Sequence, residues 1–240
     1  MEEGRKIIVS DIHGCIDEFK ELLDKVNYQH GKDHLISVGD MIDRGSDSCG
    51  VVRLIKKLGA TVVMGNHEEK FLRWYKHETR KSSYYNNPIE TLPHYLEFTH
   101  EEYEYMKSFP IYYQFDNFII VHAALRPNIE LKEQNVNEMI RMRYISPEGD
   151  YLDFKKSLKM ENKIFWTEKW KGPKNVIYGH MVHTFDQPRI DEPVSNVFCY
   201  GIDTGCCFGG KLTGMIIENN QISFAQVQAK KEYFKMGFKE

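Results

Sequence analysis

Most of the short β-type runs in this chain end in a cluster of polar side chains. RKIIVS ends at Asp11 and His13, and HLISVGD ends at Asp40, with Asp43 and Arg44 just beyond it. Later strand ends carry Asn66, His67, His122, His180 and Asp203. The carboxyl ends of parallel strands in an α/β sheet face one crevice, so we expect these scattered residues to converge there.

The first third of the chain alternates strands with helices. Apolar residues recur with helical spacing over 16–26, and helices are also predicted over 47–59, where Gly59 is a C-cap, and over 67–78. Strands are predicted over 5–10, 34–40 and 60–66. This alternation indicates parallel βαβ units.

The remainder of the chain is less regular. Hairpin turns are predicted at Asp116-Asn117 and at Asn219-Asn220, before a charged tail that we expect to be loosely held. Further strands are predicted over 174–180 and 196–205, and short helices around 135–142 and 152–160. We expect a single domain over 1–240, with 81–110 and 124–170 as insertions capping one rim.

Composition narrows the function classes. A net charge of −3 over 240 residues argues against a dedicated nucleic-acid binder. No apolar run approaches the ~20 residues that span a bilayer, so no membrane partner is expected. Five cysteines without a CxxC indicate reduced thiols, and the start MEEGRKIIVSD does not resemble a signal peptide. We therefore expect a cytoplasmic protein.

The donor set at the strand ends indicates metal chemistry. Its nitrogen and oxygen donors suit Mn²⁺, Fe or Zn²⁺, and they outnumber the needs of one four-coordinate ion. Two ions about 3.5–4 Å apart would need a bridging carboxylate and would clamp the attacking and leaving oxygens of a displacement. A lone histidine after a strand is more often a turn or core residue, and only the repeated pattern favours a site.

Five ordered motifs carry a family resemblance. DIHG, GDMIDRG, GNHE, a later VH and YGH resemble those of the metal-dependent phosphoprotein phosphatase family, across residues 7–217. That family includes Ser/Thr protein phosphatases and diadenosine tetraphosphatases. The resemblance implies an α/β fold of the metallophosphoesterase type, a central β-sandwich of mixed sheets flanked by helices, with a capping insertion.

The resemblance also implies roles for individual residues. Asp40 resembles the bridging carboxylate, His67 the general acid that protonates the leaving oxygen, and Asp43 its orienting partner. Arg44 resembles a bidentate phosphate ligand. The remaining metal ligands implied by the motifs are Asp11, His13, Asn66, His122 and His180.

A second phosphate-binding arginine is expected near residues 138–146. Arg143 fits better than Arg141, and Arg126 is a weaker candidate. A surface helix with solvated arginines is the alternative. After His122 the chain has Ala-Ala where eukaryotic protein phosphatases carry Gly-Gly, which weakens a eukaryote-like assignment.

The expected reaction is in-line attack on phosphorus by a metal-bound hydroxide, with two divalent ions, Mn²⁺ by expectation and Fe or Zn as alternatives. The preferred substrate is a phosphoprotein, as for a Ser/Thr-type protein phosphatase. The alternative is a dinucleoside polyphosphate hydrolase, for which aromatic residues of 74–113 could stack a base. A non-catalytic scaffold is disfavoured because His67 and Asp43 are both present.

Overall fold

The computed structural model describes residues 4–80 and 89–237. The strands in these residues are β1 (Lys6–Val9), β2 (His34–Ser37), β3 (Thr61–Val62), β4 (Tyr112–Phe115), β5 (Phe118–Val121), β6 (Tyr144–Ile145), β7 (Tyr151–Leu152), β8 (Ile164–Phe165), β9 (Asn175–Tyr178), β10 (Arg189–Val194), β11 (Val197–Gly201), β12 (Lys211–Glu218) and β13 (Gln221–Gln228). The α-helices are α1 (Ile16–Lys25), α2 (Ser48–Leu58), α3 (Asn66–Arg80), α4 (His100–Lys107), α5 (Val136–Met139) and α6 (Phe154–Lys159). Short 3-10 helices occupy Pro93–Glu97, Leu131–Glu133 and Trp166–Lys169.

Two mixed five-stranded sheets form the centre of the fold. The first has the order β13-β12-β1-β2-β3, and the second has the order β10-β11-β9-β5-β4. β1 runs parallel to β2 and antiparallel to β12, while β9 runs parallel to both β5 and β11. A small third sheet has the order β7-β6-β8. The predicted sandwich of mixed sheets is confirmed.

Both faces of the central strands are buried, which explains the nearly continuous apolar runs in the sequence. Ile8 and Ile36 of the first sheet pack with Ile120 and Ile177 of the second to form the interior of the sandwich. Ile7 lies in a separate cluster with residues of α1 and α2. Alternate residues of β1 therefore contact either the opposing sheet or the helical layer.

Local signals in the sequence set several element boundaries. The Asp47 side chain caps α2 by accepting from the backbone N–H of Gly50, and Gly59 ends that helix at φ 65°. The hairpins joining β4 to β5 and β12 to β13 turn at the two predicted positions. The predicted helices over 16–26, 47–59 and 67–78 are likewise present.

Other elements differ from the expectation. β3 covers Thr61–Val62, far less than the predicted 60–66. The polar segment before residue 109 contains α4, which begins at a capping box formed by Thr99 and Glu102. The expectation of a loose tail is wrong for residues 230–234, since the backbone N–H groups of Tyr233 and Phe234 donate to the carbonyl of Cys207 and that of Lys230 donates to Glu18.

The two segments expected to be insertions pack in different clusters. Tyr95 and Phe98 pack with the helical layer beside the first sheet. Trp166, Phe165 and Ile145 pack with residues of the second sheet. The single domain and the capping role of these segments stay predictions, and residues 81–88 lie outside the described part of the chain.

Candidate active site

The loops after five strands meet at one edge of the sandwich. The backbone N–H of His180, after β9, donates to the carboxylate of Asp11, after β1, at 2.9 Å and 3.2 Å. His122, after β5, reaches Asn66 at the start of α3, with 3.0 Å between Nε2 and Oδ1. Residues from both sheets therefore lie together, as the strand-end pattern predicts.

Asp40 lies at the centre of this group. Its Oδ2 lies 3.3 Å from Nε2 of His122, 3.7 Å from Nε2 of His13 and 3.9 Å from Nε2 of His67. Two sets of ligand atoms, each mutually within 4.8 Å, share this carboxylate: one adds His13 and His67, and the other adds His122 and His180. A shared carboxylate between two donor clusters is the arrangement that a bridged pair of cations requires.

Hydrogen bonds to backbone carbonyls orient the histidine rings. Nδ1 of His122 lies 2.8 Å from the carbonyl of Val38, and Nδ1 of His13 lies 2.9 Å from the carbonyl of Ile42. A ring nitrogen that faces a carbonyl carries the proton, so the Nε2 lone pair of each ring points toward Asp40. Such carbonyl contacts are typical of metal-binding histidines.

The buried carboxylates of the site favour binding of a cation. Burial and the neighbouring Asp203 raise the pKa of Asp11 well above its usual value. Burial lowers the pKa of His122, but Asp40 outweighs burial and raises that pKa to about 9. The negative charge of Asp40, which would hold a proton on the ring of His122, also favours a metal cation at that position. The converging oxygen and nitrogen donors therefore fit divalent metal ions.

His13 and His180 are in the neutral form that metal ligation needs. Burial and the charge of Arg44 lower the pKa of His13 well below its usual value. Burial and Arg143 do the same for the pKa of His180. Nε2 of His180 faces the carbonyl of Arg141 at 3.2 Å, which leaves Nδ1 as its free ligand atom.

A separate network surrounds His67. Its Nδ1 lies 2.5 Å from Oδ2 of Asp43, and the other oxygen of Asp43 lies 2.7 Å from Nε2 of His94. The hydroxyl of Tyr95 also donates to Asp43, at 3.2 Å. Burial raises the pKa of Asp43, but the hydrogen bonds from His67 and His94 outweigh it and hold that pKa well below its usual value. Asp43 therefore stays ionised and orients the imidazole.

The four candidate arginines have different surroundings. Arg44 lies with Nη1 2.6 Å from Nε2 of His13 and Nη2 3.0 Å from Nε2 of His67. Arg126 pairs with Asp150 and Arg141 pairs with Glu69. Their guanidinium groups are thus engaged by carboxylates.

Arg143 is the better second candidate. Within residues 4–80 and 89–237 it has no carboxylate partner within ion-pair distance. Its pKa is lowered by burial and by the positive charge of Arg44, and its guanidinium lies 5.1 Å from the ring centroid of Phe154. A half-buried arginine that faces a second arginine needs an anion between them, which favours Arg143 as a phosphate ligand.

The backbone at the site is strained. Five of the residues predicted for the site have positive φ: His13, Asp40, Asp43, Arg44 and His180. Residues other than glycine rarely adopt this backbone conformation. Such strain persists only where the surrounding structure enforces it, commonly at functional sites.

Three residues contribute to the site without having been assigned a role from sequence. Glu68 is buried in the first turn of α3, and its carboxylate accepts the backbone N–H groups of Asp40 and Met41 at 2.9 Å and 2.8 Å. His94 and Tyr95 bind Asp43 from a 3-10 helix. Glu68 lies inside a recognised motif and could have been noticed there, whereas no local pattern marks His94 or Tyr95.

Two further expectations concern Asp203 and the aromatic segment. Asp203 accepts the backbone N–H of Gly205 at 2.9 Å, as a turn-forming residue does. Trp74 and Tyr95 are buried, and Tyr75 stacks on Tyr103 with 4.2 Å between ring centroids. The rings of Trp74 and Tyr95 therefore pack in the core. Tyr84 and Tyr85 lie outside the described residues.

The fold and the site define a metal-dependent phosphoesterase. The calcineurin-like phosphoesterase family matches residues 4–223, and the chain belongs to that family. Members of this family use a dinuclear divalent-metal site. No helix found in residues 4–80 or 89–237 has the length and apolar character to cross a bilayer.

Two curated proteins and one solved structure resemble this chain over most of its length. An asymmetrical bis(5'-nucleosyl)-tetraphosphatase, PrpE of Halalkalibacterium halodurans, is 30% identical over 87% of this chain and 88% of its own length. A symmetrical bis(5'-nucleosyl)-tetraphosphatase of Photorhabdus laumondii is 28% identical over 89% and 94%. A solved structure with a provisional diadenosine tetraphosphatase assignment matches with a TM-score of 0.76 and 29% identity, covering 93% of this chain and 94% of the other.

A more distant structure shares only the fold. A Saccharomyces cerevisiae protein serine/threonine phosphatase matches with a TM-score of 0.61 and 14% identity, over 96% of this chain and 82% of the other. The similarity therefore extends to the phosphoprotein phosphatase architecture, as the motifs predict.

Proposed function

We propose that this chain hydrolyses dinucleoside polyphosphates by cleaving a phosphoanhydride bond, with two divalent metal ions, Mn²⁺ by preference. The single observation that carries the proposal is the 30% identity to an asymmetrical bis(5'-nucleosyl)-tetraphosphatase across nearly the full length of both chains. The donor clusters that share Asp40 are consistent with the metal chemistry of such an enzyme.

The metal ligands proposed are Asp11, His13, Asp40, Asn66, His122 and His180. Two divalent ions bound there supply a nucleophile at neutral pH and neutralise charge on the phosphate oxygens. Asp40 would be a ligand of both ions, because its carboxylate belongs to both donor clusters. His13 and His180 are neutral, so each would offer a lone pair to a metal ion without adding positive charge to the site.

His67 and Asp43 handle the leaving group. Asp43 binds Nδ1 of His67 and stabilises the imidazolium, and Nε2, beside Arg44 and Asp40, is the atom that would donate its proton to the leaving oxygen. The leaving group of a phosphoanhydride is a phosphate oxygen, which is less basic than an alkoxide. The proton from His67 therefore contributes less for an anhydride than for an alkyl ester.

Arg44 and Arg143 bind the phosphate chain. Arg44 lies within 3.0 Å of His67 and so can engage the phosphoryl group that receives the attack. A planar guanidinium contacts two phosphate oxygens at once, which orients the chain for in-line displacement. Arg143 approaches from the segment after α5 and engages a neighbouring phosphate.

The second candidate is a Ser/Thr-type protein phosphatase, the preferred expectation from sequence. It shares all of the metal chemistry, and the fold of the yeast phosphatase supports it at the level of architecture. The relatives with higher identity favour the nucleotide substrate instead. Ala123 and Ala124 after His122 also depart from the Gly-Gly of eukaryotic protein phosphatases.

The test compares two substrates under matched conditions. Protein treated with EDTA and reloaded with Mn²⁺ is assayed on diadenosine tetraphosphate and on a phosphothreonine peptide. We expect the larger kcat/KM on the dinucleotide, and chromatography of products distinguishes ATP plus AMP from two ADP. A larger kcat/KM on the peptide would overturn the proposal in favour of the second candidate.

A further inference from the structure

Two phenylalanine rings flank the proposed phosphate-binding arginine. The guanidinium carbon of Arg44 lies 4.9 Å from the ring centroid of Phe208 and 5.9 Å from that of Phe234. The two ring centroids are 6.4 Å apart with an interplanar angle of 64°. The nitrogen atoms of the same guanidinium reach His13 and His67. The rings therefore lie next to the proposed reaction centre.

The C-terminal segment 229–237 holds Phe234 in this position. The backbone N–H groups of Tyr233 and Phe234 both donate to the carbonyl of Cys207, at 3.0 Å and 2.9 Å. The hydroxyl of Tyr233 and the backbone N–H of Lys230 each donate at 2.8 Å to buried Glu18. Three backbone N–H groups and one side-chain hydroxyl thus fix a segment whose end carries an exposed ring.

The exposure of Phe234 distinguishes it from a core residue. Its side chain is 50% exposed, although the segment is anchored, and nearby Met236 is 42% exposed. Exposed apolar surface beside a polar reaction centre commonly marks a binding site. Aromatic rings offer a stacking surface to any nucleobase, and this surface is independent of base identity.

We propose that Phe208 and Phe234, the aromatic platform, bind a base of the nucleotide substrate by stacking while Arg44 holds the adjoining phosphate. The inference rests on the proposed function, because only a nucleotide substrate brings a base beside the phosphate. Among the aromatic residues of 74–113, Trp74 and Tyr95 are buried in the core and so offer no face to a base. The ligand class is a nucleoside di- or triphosphate group, whichever base it carries.

The test uses inhibitors, so that it does not depend on the natural substrate. Hydrolysis of p-nitrophenyl phosphate is measured with ATP or with inorganic triphosphate as inhibitor, at constant free Mn²⁺. The ratio of the two inhibition constants isolates the contribution of the nucleoside. We expect Phe234→Ala to reduce the preference for ATP about five- to tenfold, while inhibition by triphosphate changes little. Phe234→Trp should retain the preference.

The controls separate stacking from support of Arg44. If the rings only position the guanidinium, Phe234→Ala weakens ATP and triphosphate equally, and the platform is refuted. A ratio of inhibition constants in Phe234→Ala that equals the wild-type ratio therefore refutes the platform. Ile190→Ala, which removes a 52% exposed side chain from β10, should leave both constants unaltered. Because the side chain of Phe234 is half-exposed, both Phe234→Ala and Phe234→Trp are expected to fold, and thermal unfolding verifies this.

Failure of the aromatic platform can be distinguished from failure of the proposed function. A wild-type protein that is inactive on diadenosine tetraphosphate, yet loses its preference for ATP on Phe234→Ala, supports the platform and contradicts the function. A wild type that cleaves the dinucleotide, with an ATP preference insensitive to Phe234→Ala, supports the function and contradicts the platform.

Discussion

Replacing Asp43 by Asn tests the role of the His67 network. Oδ2 of Asp43 lies 2.5 Å from Nδ1 of His67, and Oδ1 lies 2.7 Å from Nε2 of His94. Asn keeps the shape of the side chain and removes its charge. The substitution therefore weakens stabilisation of the imidazolium and leaves the metal-ligand candidates untouched.

The magnitude follows from the bond that is weakened. A hydrogen bond to a charged group contributes about 1.5–3 kcal/mol, and each ~1.4 kcal/mol is tenfold in rate. Asp43→Asn should thus lower kcat about 10- to 100-fold. His67→Asn removes the proton donor itself and should cost about 10²- to 10⁴-fold, the range typical of general acids.

The assay exploits leaving-group basicity. Phenyl phosphate and p-nitrophenyl phosphate have similar shapes, but p-nitrophenolate is the weaker base and needs less protonation. We expect both variants to lose more activity on phenyl phosphate, with metal content by elemental analysis unchanged. Asp24→Asn, at an exposed position of α1, is the matched control and should resemble wild type. Equal losses on the two substrates would refute the general-acid role.

Three further outcomes follow from local contacts. Glu68→Gln should destabilise the fold by about 2–4 kcal/mol in denaturant titrations, because an amide N–H₂ would face backbone N–H groups; a change below about 0.5 kcal/mol would contradict this. Gly179→Ala should weaken Mn²⁺ binding in calorimetry, since an added Cβ would lie 1.9 Å from Oδ1 of Asp11; wild-type affinity would oppose the inference. Burial and Arg189 lower the pKa of His183 to about 4, below its usual 6.5. Because the folded protein favours the neutral ring, His183 contributes about 1–2 kcal/mol, after solvent screening, to the free energy of unfolding. This contribution is present above pH 6.5 and is lost as the pH falls toward 4. His183→Gln should therefore flatten the stability–pH profile in that window, and an unaltered slope would count against this assignment.

The convergence of the strand-end residues could be predicted because it follows from a general rule. Asp11, Asp40 and Asn66 follow parallel strands or begin the helix after one, and such ends face one edge. The second sheet could not be derived in the same way. Strands buried on both faces have no alternation in hydrophobicity that identifies their neighbours. The family resemblance supplied that part of the fold.

Other features depend on contacts between segments far apart in sequence. His94 meets Asp43 across 51 residues, and Tyr233 meets Glu18 across 215. The charged composition of the tail indicates a loose segment, yet four hydrogen bonds to Cys207 and Glu18 hold it in place. Local propensity contains no information on such partners, so these contacts emerge only from the folded structure.

The central claim is that two metal ions share Asp40, and anomalous diffraction tests it most directly. A crystal grown with Mn²⁺ should give two anomalous peaks about 3.5–4 Å apart on either side of that carboxylate. His13 and Asp11 should contact one peak, and Asn66, His122 and His180 the other. A single peak, or two peaks with Asp40 bound to neither, would contradict the account.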